Sequence, residues 1–240
     1  MELSIVIPAY NEGKKIARDL CEAAAFLERH RLEGEILVVD DGSRDDTVAR
    51  VEEMRGRIPG LRLLSYGANR GKGYALRHGV ARSQGDYVLF ADAGLCVPYE
   101  MALVGLTFLR LGMCDIAVAN RRMRGSLVQG QPLYRRLGSL VHNLLVRLAM
   151  GVPWHLDDTQ CGFKLFRGDV ARPLFASVTC DGFMADVEML VRAARQGHRI
   201  LNFPVPWTND RDTRFHPLRG QVRNFRELWA IRRALRSTPP

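Results

Sequence analysis

No stretch of this 240-residue chain approaches the roughly 20 consecutive apolar residues that a membrane-spanning helix needs, so no span is expected. Met1-Glu2-Leu3-Ser4 lacks the basic start of a secretory leader and enters an apolar strand at once, which predicts no signal peptide. The five cysteines (Cys21, Cys96, Cys114, Cys161, Cys180) are scattered and odd in number, and no Cys-x-x-Cys spacing occurs. That pattern excludes a disulfide framework and a zinc site, and predicts reduced thiols in a cytosolic protein. Two nucleotide signatures are missing as well. Without Gly-x-x-x-x-Gly-Lys-Ser/Thr the chain is no P-loop ATPase, and the lack of Gly-x-Gly-x-x-Gly after the first strand counts against a dinucleotide oxidoreductase. Acidic residues are outnumbered, 26 against 35 basic ones, for a formal net charge of +9.

The basic excess is local. Arg121, Arg122, Arg124, Arg135 and Arg136 form one cluster, and eight arginines from Arg211 to Arg236 crowd the last 30 residues. Any one of them reads as solvated surface. Clustered, they call for anionic partners, either phosphates or an acidic membrane surface. Nucleic acid is not expected, because the clusters lack the interleaved aromatics of a stacking platform.

One domain is expected at this length, and the 47% hydrophobic content gives it a large core. Strands are predicted at 3–7 (stopped by Pro8), 36–39, 61–64 and 87–91, with helices between them. The first helix is capped by Asn11 and carries Ile16, Leu20, Ala24 and Leu27 on one face. The second opens on a Ser43/Asp46 capping box, and the third follows Asn69-Arg-Gly-Lys-Gly73 and runs to about Ser83. This alternation predicts an α/β fold with a mainly parallel sheet and helices on both faces. Further on, helices are expected at about 101–111, 137–148, 185–196 and 222–236, and strands at about 115–119 and 200–205.

Acids follow three predicted strands: Glu12, the pair Asp40 and Asp41, and Asp92. A parallel sheet brings these ends to one edge, where open α/β sheets bind ligands. Helix capping explains Asp45 and Asp46 but not acids at three strand ends. Carboxylates placed there can take ribose hydroxyls, base N–H groups or a divalent cation. The glycines of Asn69–Gly73 would let backbone N–H groups approach an anion, with Arg70 or Lys72 adding charge.

Taken together, Ser4-Ile-Val-Ile-Pro-Ala-Tyr-Asn-Glu12, Leu37-Val-Val-Asp-Asp-Gly-Ser43, Asn69-Arg-Gly-Lys-Gly73, Asp158-Thr-Gln-Cys-Gly-Phe-Lys164 and Asp186-Val-Glu188 resemble glycosyltransferase family 2. The resemblance is to its polyprenyl-phosphate branch, the dolichyl-phosphate mannose and glucose synthases. It implies a GT-A fold over 1–210, with a nucleotide-sugar half (1–98) and an acceptor half (99–210), followed by a basic tail (211–240). It also implies an inverting transferase that moves a hexose from a nucleotide sugar to a polyprenyl phosphate. The 158–164 string leans toward the glucosyl type, which uses UDP-glucose. Pro8, Ala9, Tyr10, Glu12, Asp40, Asp41, Lys72 and Asp92 would then contact the nucleotide sugar, with Asp40 accepting from the base. Arg121, Arg135, Ser139 and Lys164 would hold the acceptor phosphate. Asp92, Asp158 and Glu188 would be the catalytic acids, although Glu188 also reads as a polar position on an amphipathic helix.

An acceptor phosphate is already ionised at neutral pH, so it needs no strong general base. The work left is alignment with the anomeric carbon and stabilisation of the departing diphosphate. The resemblance implies Mg²⁺ or Mn²⁺ on an Asp-x-Asp motif, but the chain reads Asp92-Ala93-Gly94. Three outcomes stay open: Asp92 and water hold the ion through the diphosphate, basic side chains replace it, or the chain only binds its ligands. Val222, Phe225, Leu228, Trp229 and Leu235 oppose five arginines on the last helix, which suits either an anionic membrane surface or packing on the protein's own core. A soluble or saccharide acceptor and a non-catalytic nucleotide-sugar binder are the rival functions.

Overall fold

The computed structural model describes residues 1–130, 146–209 and 217–237. Its middle layer is a seven-stranded sheet of β1 (Leu3–Ala9), β2 (Gly34–Asp40), β3 (Leu61–Ser65), β4 (Tyr87–Ala91), β5 (Ile116–Asn120), β7 (Phe163–Arg167) and β8 (Ile200–Pro204), in the order β3-β2-β1-β4-β7-β5-β8. Strand β7 runs antiparallel between β4 and β5, and the other neighbours are parallel. A separate two-stranded ribbon pairs β6 (Leu127–Gln129) with β9 (Pro206–Thr208).

The inner strands β1, β4 and β5 are largely apolar because both faces are covered. Val6, Leu37, Val39, Val88, Phe90 and Val118 point to one apolar layer. Their neighbours Ile5, Ile7, Ile36, Val38, Leu89 and Ala117 point to the other. The first layer is covered by α3 (Lys72–Val80), α5 (146–150), α6 (Gly168–Ser177), α7 (Ala185–Arg195) and α8 (Pro217–Ser237). The second is covered by α1 (Ile16–Arg29), α2 (Thr47–Arg55) and α4 (Ala102–Arg110). The carboxyl ends of β1, β2, β4 and β5 share one edge. Because β7 is reversed, its amino end joins them, with Phe163 opposite Ala91.

Several local expectations shift. Pro8 does not stop β1, which continues to Ala9. It lies past the last β1–β4 pair, Val6–Phe90, at the strand end where a residue without an N–H does least harm. Asn11 is not a helix cap. It adopts a left-handed φ of 55°, its N–H donates to Ser43 Oγ, and its Oδ1 accepts from Arg44 N–H. The Ser43 hydroxyl thus meets Asn11 rather than forming a Ser43/Asp46 capping box, and Asp46 precedes α2 without a side-chain cap bond. Helix α6 was not expected, since Gly168 and Pro173 mask its apolar stripe of Val170, Ala171, Leu174 and Phe175. Most of the helix expected at 137–148 lies outside the described residues.

The final helix divides its apolar residues. Leu228, Ile231 and Leu235 are buried in the core, each contributing about 2 kcal/mol. Phe225 and Trp229 stand exposed beside Arg226, Arg232, Arg233 and Arg236. The expectation of one shared apolar side is therefore corrected. The helix has an inner core-facing stripe and an outer aromatic and basic face. The side chain of Val222 lies outside the described residues.

Candidate active site

Over the shared strand edge lies a cavity of about 430 Å³. Pro8, Ala9, Tyr10 and Glu12 reach it from the end of β1, and Asp92 and Ala93 from the end of β4. Arg121 follows β5, while Gln160 and Gly162 precede β7. Asn69, Gly71 and Lys72 supply one wall. Phe183, Trp207 and Arg223 come from three later segments. Of the expected nucleotide-sugar residues, all but Asp40 line this cavity.

The two acids ending β2 are held by neutral donors. Asp40 Oδ1 accepts from Ser43 N–H at 3.1 Å, and its Oδ2 accepts from Ser65 Oγ at 3.0 Å. Asp41 Oδ1 accepts from the Tyr66 hydroxyl at 3.0 Å and Arg70 N–H at 2.7 Å, while Oδ2 accepts from Gly71 N–H at 2.9 Å. Asp41 therefore pins the 69–73 loop. This corrects the expectation that the loop offers its amides to an anion. Those of Arg70 and Gly71 are spent on Asp41, and that of Gly73 on Asp181 O at 2.8 Å. The glycines serve close packing instead. A Cβ on Gly71 would come within 2.3 Å of Asp181 O, and one on Gly73 within 2.3 Å of Cys180 O. The charge of the loop is carried into the cavity by Lys72.

Lys72 Nζ bridges two carboxylates, Asp92 at 2.9 Å and Asp186 at 3.0 Å. Lys164, fully buried, donates to the other oxygen of Asp186 at 2.6 Å and to Cys161 O at 2.6 Å. Both ammonium groups lie over the Phe90 ring, at 4.8 and 5.2 Å from its centroid. Burial works against the charge on Lys72, but Asp186 and Asp92 outweigh it and hold the amine protonated. Burial likewise pushes the Asp186 carboxyl up, and the two lysines override it, so Asp186 stays ionised.

Asp158 is buried and doubly bonded to Arg121, whose Nε and Nη2 each donate at 2.7 Å. Burial would raise the Asp158 carboxyl, but the guanidinium holds it below the usual range. Arg121 also lies 5.3 Å from the centroid of Trp207. Asp158 thus orients Arg121, and both its oxygens are occupied.

Glu188 and Lys164 are not brought to the cavity wall. Glu188 accepts from Thr179 N–H and Oγ1, Cys180 N–H and Arg192 Nε, deep in the core. Asp186 and Glu188 are two apart on α7, so they face opposite sides, and Asp186 is the one that turns to Lys72. Arg135 and Ser139 lie outside the described residues.

The metal motif can be tested on its local backbone. Gly94 has a φ of +107°, a conformation side chains rarely adopt, and its N–H donates to Asp19 Oδ2 at 2.5 Å. A second carboxylate at this position would need a different turn. Gly162 makes room on the other side, since a Cβ there would fall 1.8 Å from Asp92 Oδ2. Among the described residues no group of three His, Cys, Asp or Glu could hold a metal. Among the described residues, Asp92 therefore fits a divalent ion as one shared with a ligand's diphosphate.

Asp19 was missed by sequence reasoning, which read only apolar positions along α1. Burial raises its carboxyl to about 6, against the lowering effect of the Gly94 amide. Its Oδ1 is buried with no hydrogen-bond partner among the described residues. Phe183, Trp207 and Arg223 were missed as cavity residues too, since nothing near them in sequence marks a site.

Comparison with known proteins agrees with this geometry. The family model for glycosyl transferase family 2 matches residues 4–175. A dolichyl-phosphate beta-glucosyltransferase of Trichomonas vaginalis is 34% identical over 88% of this chain and 65% of its own length. The enzymes of that name from Drosophila melanogaster and Homo sapiens are 32% and 30% identical, over 96% of this chain and 74% and 75% of their own lengths. The chain thus spans about two thirds to three quarters of these relatives. Among solved structures, glucosyl-3-phosphoglycerate synthase from Mycobacterium tuberculosis with Mn²⁺ and UDP-glucose superposes with a TM-score of 0.72 at 19% identity, over 96% of this chain and 78% of its own. Mannosyl-3-phosphoglycerate synthase from Rubrobacter xylanophilus gives 0.69 at 21% identity, over 98% and 72%. The fold is therefore GT-A. By the family match and by relatives above 30% identity over most of both chains, this chain belongs to glycosyl transferase family 2.

Proposed function

We propose that the chain is an inverting hexosyltransferase that moves glucose from UDP-glucose to a polyprenyl phosphate. One observation carries the reading: Lys72 and Arg121, each fixed by buried acids, line a cavity built from the strand ends. Such fixed cations suit a reaction in which negative charge gathers on a leaving diphosphate. The curated relatives, named as dolichyl-phosphate beta-glucosyltransferases, support the glucosyl and lipid-phosphate parts.

In this reading Pro8, Ala9, Tyr10 and Glu12 hold the nucleoside, and Lys72 faces the diphosphate. Arg121 holds the acceptor phosphate with its planar fork, kept in place by Asp158. Arg135 and Ser139 would add to that grip. The acceptor oxygen attacks the anomeric carbon as the bond to the diphosphate breaks, and the leaving group departs toward Lys72. The attacking phosphate is ionised beforehand, so no carboxylate has to act as base. Asp92 would hold Mg²⁺ or Mn²⁺ together with the diphosphate, and the ion would neutralise charge there.

Residues 1–210 form the catalytic unit, and the basic tail, 211–240, docks on its core through Leu228, Ile231 and Leu235 of α8. No helix among the described residues is long and apolar enough to cross a membrane. The outer face of α8, with Phe225 and Trp229 among four arginines, suits the interface of an anionic bilayer. A peripheral seat on the cytoplasmic side would bring the cavity to a lipid acceptor.

Calorimetry with UDP-glucose and GDP-mannose, with and without Mn²⁺, tests the donor. Binding of UDP-glucose is expected, and failure of both sugars to bind would remove the reading. Co-sedimentation with vesicles containing anionic lipid tests the surface. Phe225→Ser with Trp229→Ser is expected to lower vesicle binding, and an unchanged bound fraction would count against the seat.

A further inference from the structure

Helix α8 lies outside the sheet, yet Arg223 from its first half reaches the cavity beside Asn69, Gly71 and Lys72. A Cβ on Gly71 would stand 3.4 Å from Arg223 Nη2, so the guanidinium lies over the backbone of that loop. Arg223 Nε donates to Glu227 Oε1 at 2.7 Å, one helical turn along. Glu227 is itself seated. Its Oε2 accepts from Met184 N–H at 3.1 Å and from Cys180 Sγ at 3.6 Å. Residue 182 is glycine where a Cβ would fall 1.9 Å from Glu227 Oε1. An ordinary surface pair at this spacing is worth about 0.3–0.5 kcal/mol and needs no such seat.

We propose that Arg223 is a phosphate-binding residue of this cavity, delivered by α8 and positioned by Glu227. The proposal rests on the nucleotide-sugar reading above. Glu227 holds the Nε edge of the guanidinium, and Nη2 is turned toward the phosphate-side wall formed by Gly71 and Lys72. The side chain is 54% exposed, so contact with a ligand costs it little desolvation. Its planar fork suits pairs of phosphate oxygens, which belong to the donor's diphosphate or to the acceptor's phosphate. Lys72 and Arg121 are each tied to a buried acid, so among the cavity cations of the described residues Arg223 is best able to follow the ligand.

The test compares UDP with uridine by calorimetry, and measures transfer to a short water-soluble prenyl phosphate, for the full chain and for Arg223→Gln, Arg223→Lys and Glu227→Gln. Arg223→Gln is expected to weaken UDP binding about 10- to 100-fold and to leave uridine unchanged, the size of a lost charge-assisted hydrogen bond. Arg223→Lys retains part of the affinity, and Glu227→Gln loses less than Arg223→Gln. Unchanged UDP affinity with a similar rise in KM for the prenyl phosphate would assign the contact to the acceptor. No change in either arm overturns the proposal. Equal loss of UDP and uridine means a structural role and also overturns it. Wild-type protein that binds no UDP would overturn the donor reading itself, an outcome distinct from an unaltered Arg223→Gln.

Discussion

The acids ending β2 and the acids around Lys72 and Arg121 are held by different kinds of partner. Asp40 and Asp41, at the end of β2, are met by amides and hydroxyls. Beyond β4 and on α7, Asp92 and Asp186 share Lys72, and before β7 Asp158 holds Arg121. Neutral donors shape a loop and leave no net positive charge behind. Paired cations are stored charges, already oriented and partly stripped of water, for which an incoming phosphate can compete. Asp19 belongs to neither class, because it is buried with one amide partner and no cation within hydrogen-bond reach among the contacts described.

The largest expected effect lies on the cation side. Lys72→Met should lower transfer by about 100- to 1,000-fold, the range for loss of one preorganised electrostatic group. Steady-state kinetics on short prenyl phosphate would read it, and a loss below tenfold would contradict the role given to Lys72. Next comes Arg121→Gln, which leaves Asp158 buried without its guanidinium and should cost about 3 kcal/mol in urea unfolding at pH 7. Adding Asp158→Asn should restore much of that stability but not the transfer. If the double variant recovers activity, Arg121 is structural.

Asp19 sharpens the comparison through pH. Its carboxyl stands at about 6 in the folded chain against an ordinary 3.8. A raised carboxyl makes ionisation costly to the fold. The cost is absent below about pH 4, grows as pH rises to about 6 and stays constant above, reaching about 3 kcal/mol. Asp158, held low by Arg121, has the opposite sign: its contribution is present above the ordinary carboxyl range and is lost as pH falls. Asp19→Asn should therefore remove a loss of stability between pH 4 and 6 and raise Tm at pH 8. An unchanged pH profile would show that the buried charge is relieved in some other way. The smallest effect is expected from Asp41→Asn, which weakens the tie to Arg70 and Gly71. A cost of about 1–2 kcal/mol is expected, read by urea unfolding, with a modest fall in UDP affinity.

Much of the nucleotide half was legible in the sequence. Apolar runs ending in acids gave the strand ends, and β4 has the expected bounds, Tyr87–Ala91. The roles of individual acids were less legible, because a motif does not reveal which groups meet it. Asp41 in the Asp-Asp-Gly-Ser string became a loop anchor, since the 69–73 backbone folds onto it. Helical spacing turns Asp186 and Glu188 to opposite sides of α7, and only packing decides which of the two meets Lys72. Gly94 looked like a deleted ligand. The structure adds that its backbone is left-handed and tied to Asp19, so the turn is built around a glycine. Arg223 could not be found from local pattern at all, because it depends on how α8 docks through Leu228, Ile231 and Leu235.

The most direct measurement is transfer of labelled glucose from UDP-glucose to a short polyprenyl phosphate, with the anomeric configuration of the product read by NMR. Inverting displacement by an ionised phosphate predicts a β-linked glucosyl phosphate and release of UDP. UDP-glucose that binds without any transfer, or a product of retained α configuration, would contradict it.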